Sequence, residues 1–230
     1  MNSSAAQTME ERLIQVPAGS VTLEGNLTLP EQSRGIVLFA HGSGSSRHSP
    51  RNRYVARLLN EAKLATLLID LLTLHEEVVD ARTAQLRFDI DLLAERLVDA
   101  TDWLTQFPDT KDLRIGYFGA STGAAAALAA AALRPDPVGA IVSRGGRPDL
   151  AGAALIRVRA PTLLIVGEDD VQVIELNRAA LAQLRCEKQL VIVPGATHLF
   201  EEPGALDVVA RLARDWFKRH LIAVVRATAT

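Results

Sequence analysis

The chain has 230 residues, 48% of them hydrophobic, and a net charge of −2 with both signs interspersed. That length suits one sheet-centred domain with a large core. The charge balance gives no basic footprint for nucleic acid and no acidic tail, which leaves a small-molecule partner as the expectation. Cys186 is the lone cysteine, so no internal disulfide forms, and its neighbours suggest the end of a surface helix. Met1 to Met9 lack the apolar core of a secretory signal. No run reaches the roughly 18 apolar residues that span a bilayer. A cytoplasmic protein without membrane contact is the default expectation.

In chain order, residues 1–10 read as a disordered tail, residues 11–221 as one domain and residues 222–230 as a second tail. Leu13 to Val16 and Ser20 to Leu29 are extended segments around the Pro17-Ala18-Gly19 turn, an antiparallel hairpin. Gly35 to Ala40 and Leu64 to Ile69 are continuous apolar runs, the mark of strands buried on both faces. Tyr54 to Ala62 and Leu92 to Phe107 carry helical spacing. Leu71 to Asp91, with Glu76, Glu77, Asp80 and Arg82 beside Leu86 and Phe88, is the longest irregular stretch. It has too few residues for a sizeable lid, so an open site is expected.

Strands over Leu113 to Phe118, Val138 to Val142, Pro161 to Val166 and Gln189 to Val193 then alternate with helices. The helices are an alanine-rich one over Ala124 to Leu133 and two more near Val173 to Leu184 and Ala205 to His220. Repeated β-α units predict an α/β fold with a mostly parallel sheet and helices on both faces. Ligands of such sheets gather at the carboxyl ends of the strands, where His41, Ser121, Ser143, Arg144, Asp169, Asp170 and His198 fall.

Gly119-Ala120-Ser121-Thr122-Gly123 joins an apolar strand to the alanine-rich helix. A serine flanked by glycines two residues away on either side is the pattern of a nucleophile elbow, a tight turn that exposes the hydroxyl near a helix N-terminus. A serine hydroxyl needs a base within hydrogen-bond reach and a carboxylate to orient that base. His198 follows the last strand in Pro194 to Phe200 and is the candidate base. The apolar run Pro161 to Val166 ends in Gly167-Glu168-Asp169-Asp170. There Asp170 precedes the apolar Val171 and Val173, so it is the carboxylate expected to turn inward, with Asp169 the alternative. Serine, acid and histidine thus stand in the chain order of the α/β-hydrolase triad.

Four motifs together carry a resemblance: Phe39-Ala40-His41-Gly42-Ser43-Gly44, Gly119 to Gly123, Ile165 to Asp170 and Gly195 to Phe200. From about Val21 to Leu221 the chain resembles the α/β-hydrolase superfamily, and within it the lid-poor dienelactone hydrolase-like group. The resemblance implies an acid in a G-x-x-D pattern, matched at Asp170. It also implies oxyanion donors at Thr122 and at Gly42 or Ser43. It departs at the nucleophile, since dienelactone hydrolases proper use cysteine where this chain has Ser121.

The expected activity is hydrolysis of small carboxylic esters through an acyl-enzyme, with no metal or organic cofactor implied. The same apparatus serves lactones, thioesters, amides or acyl transfer, and a non-catalytic binding protein with this fold is the alternative of another class. Arg144 or Arg147 is a candidate to hold a substrate carboxylate, since a guanidinium fork matches that anion. The bland alternative is pairing with a local carboxylate such as Asp149. His41, near the same mouth, is a third substrate-binding candidate, read more as a brace for its loop than as a base. His41 to Ser46 lacks the ending of a P-loop. Arg47, Arg51 and Arg53 read as a solvated basic cluster. Oligomeric state is left open.

Overall fold

A computed structural model describes residues 10–222; the expected tails, residues 1–10 and 222–230, lie outside the described residues except for Glu10 and Ile222. The hairpin forms as β1 (Glu11–Ala18) and β2 (Val21–Thr28). The other strands are β3 (Ile36–Ala40), β4 (Ala65–Ile69), β5 (Ile115–Ala120), β6 (Val138–Arg144), β7 (Thr162–Gly167) and β8 (Lys188–Val193). They form one eight-stranded sheet in the order β1-β2-β4-β3-β5-β6-β7-β8. β2 runs antiparallel to β1 and β4, and from β4 to β8 all neighbours are parallel. This is the α/β-hydrolase arrangement that the motifs implied.

Side-chain alternation explains why the central strands read as unbroken apolar runs. Ile36, Leu38 and Ala40 face one side of the sheet together with Tyr117 and Ile141, against α3 (Ile90–Gln106) and α4 (Thr122–Leu133). Val37 and Phe39 face the other side with Phe118 and Val142, against α1 (Pro50–Glu61) and α6 (Ala205–Leu221). Each strand therefore needs an apolar residue at every position. α4 is mostly alanine, which favours the helix and lets α3 and the sheet approach it closely. α5 (Val171–Gln183) packs beside β7 and β8. Cys186 lies just past α5, half-buried, with its thiol 3.7 Å from the Thr162 hydroxyl.

The expected irregular stretch is partly ordered. It contains α2 (Leu74–Thr83) and a short 3-10 turn over Leu86–Phe88. α2 presents Leu74, Val78 and Val79 to solvent at 74, 58 and 43% exposure, so apolar packing does not hold it down. Polar ties do. Thr73 and Glu76 form a reciprocal capping box, and Glu76 also takes two N–H groups of the buried Arg96 guanidinium. Burial draws the Glu76 carboxyl upward, but the hydrogen bonds from Arg96 and Thr73 outweigh it and hold the group below the usual carboxylate range.

A depressed folded-state pKa gives stability that is complete above the unfolded value, near 4.3, and is lost as pH falls through the folded one. Glu76→Gln should therefore lower stability at pH 7 by about 2 kcal/mol, less than a fully buried pair because Glu76 keeps some solvent contact. The difference from wild type should shrink as pH falls below about 4. Urea midpoints of both proteins across that range check this.

The basic cluster is not free. Arg47 is tied to Asp70 and Glu24, Arg51 to Glu201 at 3.0 Å and Arg53 to Glu11 at 3.2 Å. These ties correct the reading of a solvated cluster for Arg47, which is largely enclosed, while Arg51 and Arg53 keep solvent contact; each arginine finds a carboxylate remote in the chain.

Candidate active site

β5 runs into α4 through a single residue, Ser121, whose backbone sits at φ 51°, ψ −122°. That region is costly for a residue with a Cβ, by about 1–3 kcal/mol, and persists only where the surroundings impose it. They do so here. The Ser121 N–H donates to Arg144 O, and Ser121 O accepts from the N–H groups of Ala124 and Arg147. The flanking glycines have no room for a side chain. A Cβ on Gly119 would fall 2.4 Å from Ala124 Cα, and one on Gly123 2.3 Å from Ala40 O and 2.4 Å from His41 O. All these atoms are backbone and cannot yield. Gly123→Ala should cost at least about 3 kcal/mol, enough to lower the thermal midpoint by roughly 10 °C in a chain this size, readable by calorimetry.

The other two residues meet across the carboxyl end of the sheet. Asp170 follows β7 at the N-terminus of α5, His198 follows β8, and Asp170 Oδ2 lies 2.6 Å from His198 Nδ1. The carboxylate is largely enclosed while the imidazole is more open, with side-chain exposures of 15 and 39%. Glu168 and Asp169 are exposed, and Glu168 accepts the Gly195 N–H, which closes the turn that carries His198. The imidazole comes close to the elbow through Gly145. This residue follows Arg144, the acceptor for the Ser121 N–H, and a Cβ on it would fall 3.5 Å from His198 Cε1. Ser121 Oγ has no hydrogen bond to His198 among the described residues. Such contacts are commonly long without substrate and tighten in the complex.

The loop after β3 passes directly over the serine, since a Cβ on Gly42 would fall 2.9 Å from Ser121 Cβ. Ser43 N–H donates to Thr122 Oγ1 at 3.0 Å, which latches this loop to the first residue of α4. His41 is buried, and both of its nitrogens are engaged. Nε2 accepts the Leu71 N–H at 3.0 Å, so Nδ1 carries the proton and donates to Gly42 O at 3.0 Å. Burial lowers its pKa, against the raising influence of Gly42 and Asp70, and the ring is neutral. Its geometry is that of a brace between the β3 loop and the end of β4.

The two arginines after β6 differ. Arg147 Nε and Nη2 bind Asp149 at 2.9 and 2.8 Å. Arg144 is only 7% exposed, with Nε and Nη1 lacking partners among the described residues and the Phe200 ring 5.9 Å from its guanidinium carbon. Burial and the nearby Arg51 charge push its pKa down to about 10. Neither arginine lines the cavity that adjoins the elbow.

That cavity, of about 420 Å³, lies between the loop Gly42 to Ser46 and α2, with Thr122 at its inner end. Leu71, Leu72 and Leu93 line it, and so do Glu77, Asp80 and Arg87. Arg87 is a residue that sequence patterns alone did not single out. Its one signal was the Thr73-x-x-Glu76 capping pattern, which marks a helix start just ahead of it. No group of three or more potential metal ligands occurs among the described residues. No described helix is long and apolar enough to cross a membrane.

Residues 69–222, which hold the elbow, Asp170 and His198, match the model of the dienelactone hydrolase family. The chain belongs to that family. A dienelactone hydrolase from Anabaena variabilis is 64% identical and superposes with a TM-score of 0.91, over 93% of this chain and 99% of that one. A serine hydrolase without a lid from Xanthomonas campestris is 21% identical and shares the fold, with a TM-score of 0.74 over 93% of this chain and 96% of that one. A curated Mycobacterium tuberculosis protein, provisionally named a phosphoribosyl transferase, is 59% identical over 96% of this chain and 49% of its own length. The chain thus spans about half the length of the curated relatives it matches. Within the dienelactone hydrolase family this member carries serine at the elbow, with the G-x-x-D carboxylate of Asp170 on the His198 ring.

Proposed function

We propose that this chain is a serine hydrolase of small carboxylic esters. The observation that carries the reading is the strained Ser121 elbow beside an imidazole already held by a carboxylate at 2.6 Å. Ser121 Oγ attacks the acyl carbon while His198 Nε2 takes its proton. Asp170 accepts a hydrogen bond from Nδ1–H, which fixes the tautomer and stabilises the imidazolium formed in that step. The oxyanion is received by the Thr122 N–H, which as the first of α4 has no intrahelical acceptor, and by the β3 loop at Gly42 or Ser43. Thr122 Oγ1 holds the Ser43 N–H beside the elbow in the free protein, and the oxyanion takes over that donor. His198 then protonates the leaving alcohol and activates the water that releases the acid.

Serine in place of cysteine makes the nucleophile depend fully on its base, whereas a thiolate does not. The test is a panel of p-nitrophenyl esters, lactones and acyl thioesters of matched acyl length. Short esters should be turned over fastest, and a Ser121→Ala protein should lose all of these activities together. Turnover confined to lactones or thioesters would overturn the ester assignment, and activity that survives Ser121→Ala would overturn the mechanism. Est1E from Butyrivibrio proteoclasticus, which shares the fold, was solved with ferulic acid, and we extend a small organic acid to this chain as the proposed product class.

A further inference from the structure

In the proposed mechanism His198 must reach the leaving oxygen, so the alcohol lies on the His198 side of Ser121. The acyl group then extends to the opposite side, over Thr122 and under the β3 loop, which is where the 420 Å³ cavity opens. His198 does not line this cavity; Ser43, Thr122 and the underside of α2 do.

The chemistry of the lining is uneven. Leu71, Leu72 and Leu93 form an apolar floor, while the roof is polar. Asp80 is fully committed: it accepts the N–H groups of Leu86 and Arg87 on Oδ1 and Arg87 Nε on Oδ2 at 2.5 Å. Arg87 Nη2 also turns back, to Asp80 O at 3.0 Å. Nη1 is left over, and it approaches the β3 loop to 4.0 Å from where a Gly44 Cβ would stand. Glu77 is the second uncommitted group. Its carboxylate has no hydrogen-bond partner among the described residues, and burial and the neighbouring Asp70 raise its pKa. The cavity therefore presents one spare charged acceptor and one spare charged donor, with the hydroxyls of Ser43 and Ser45 between loop and roof. Two carboxylates against one guanidinium leave it net negative.

We propose that this cavity is the acyl pocket of the hydrolase and selects neutral, hydroxyl-bearing acyl groups, with Glu77 accepting a hydroxyl proton of the substrate and Arg87 Nη1 donating to a hydroxyl oxygen. The proposal rests on the serine-hydrolase reading for the direction of the acyl chain. A hydroxyl both donates and accepts, so a diol satisfies both spare groups. A plain alkyl chain leaves both desolvated and unpaired, which is where most of the discrimination arises. A carboxylate suits Arg87 but meets Glu77 and Asp80, and like charges at close range repel strongly in a partly enclosed site.

Three phenyl esters of equal chain length test this, each read above its uncatalysed rate: butyrate, 2,3-dihydroxybutyrate and the hemisuccinate, whose free carboxylate also attacks the ester spontaneously. Wild type should prefer the dihydroxy ester to butyrate by about tenfold or more in kcat/KM, mainly through KM, with the hemisuccinate poorest. Glu77→Gln should cut the dihydroxy-to-butyrate ratio at least about fivefold and raise the hemisuccinate relative to butyrate. Arg87→Lys, which keeps the charge on Asp80, should lower the same dihydroxy-to-butyrate ratio. A wild-type enzyme that favours butyrate or the hemisuccinate, or a Glu77→Gln protein with unchanged ratios, overturns the proposal. Calorimetric binding of the dihydroxy and butyrate esters to Ser121→Ala separates the two readings. Tighter binding of the dihydroxy ester supports the pocket even if the wild type turns over none of the three, and equal binding defeats the pocket even if turnover is fast.

Discussion

Ser121→Ala is expected to lower kcat for short esters by about a millionfold, because members of such a triad act as a unit and removal of the nucleophile forfeits the whole covalent route. KM should move little, since the serine hydroxyl touches only the reacting carbon. The substitution has a second, informative effect on stability. Ser121 is held at φ 51° by three backbone hydrogen bonds rather than by its hydroxyl, so alanine inherits the same strain and the fold should be unaltered. An inactive protein with an unchanged thermal midpoint therefore separates loss of chemistry from loss of structure. Stopped-assay kinetics on a p-nitrophenyl ester, with calorimetry on the same preparation, supply both readings.

Asp170→Asn should lower kcat by about 10⁴ while leaving the geometry of the site intact. Asp170 Oδ2 accepts a hydrogen bond from Nδ1–H of His198, which leaves Nε2 free to take a proton from the serine. An asparagine in its place can turn its NH₂ to the ring. The ring then accepts on Nδ1 and carries its proton on Nε2, the tautomer that cannot act as a base toward Ser121. The charge that stabilises the imidazolium in the transition state is removed as well. Asp169→Asn provides the contrast, since Asp169 is exposed and has no bond to the imidazole. Comparable losses from both substitutions would remove Asp170 from the orienting role.

Much of the fold was legible because burial on two faces leaves a plain mark. Runs such as Ile36 to Ala40 and Ala65 to Ile69 are apolar at every position, and only a strand between two helical layers requires that. The elbow was legible for a different reason. Gly119 and Gly123 answer backbone contacts at 2.4 and 2.3 Å that no other residue tolerates, so steric demand is written into residue type. Asp170 rather than Asp169 followed from a weaker cue, the apolar spacing that resumes at Val171, which spacing alone left open.

The helix α2 and the cavity it roofs lacked such a mark. α2 turns Leu74 and Val78 outward and is held by Thr73, Glu76 and Arg96, so its apolar spacing does not report burial. Arg87 belongs to the cavity through a pairing with Asp80 that closes across the end of that helix. Arg51 and Arg53 find carboxylates 150 and 42 residues away, partners that a local charge count does not reveal. In each case the missing information is a polar contact between segments, which residue patterns do not encode as they encode burial.

The central claim is that Ser121 is a nucleophile made reactive by His198 and Asp170. Intact-mass analysis after treatment with a fluorophosphonate tests it most directly. The wild-type protein should gain one adduct mapped to Ser121, Ser121→Ala should gain none, and Asp170→Asn should label far more slowly. A wild-type protein left unlabelled while a control esterase reacts, or an adduct mapped to another serine, would contradict the account.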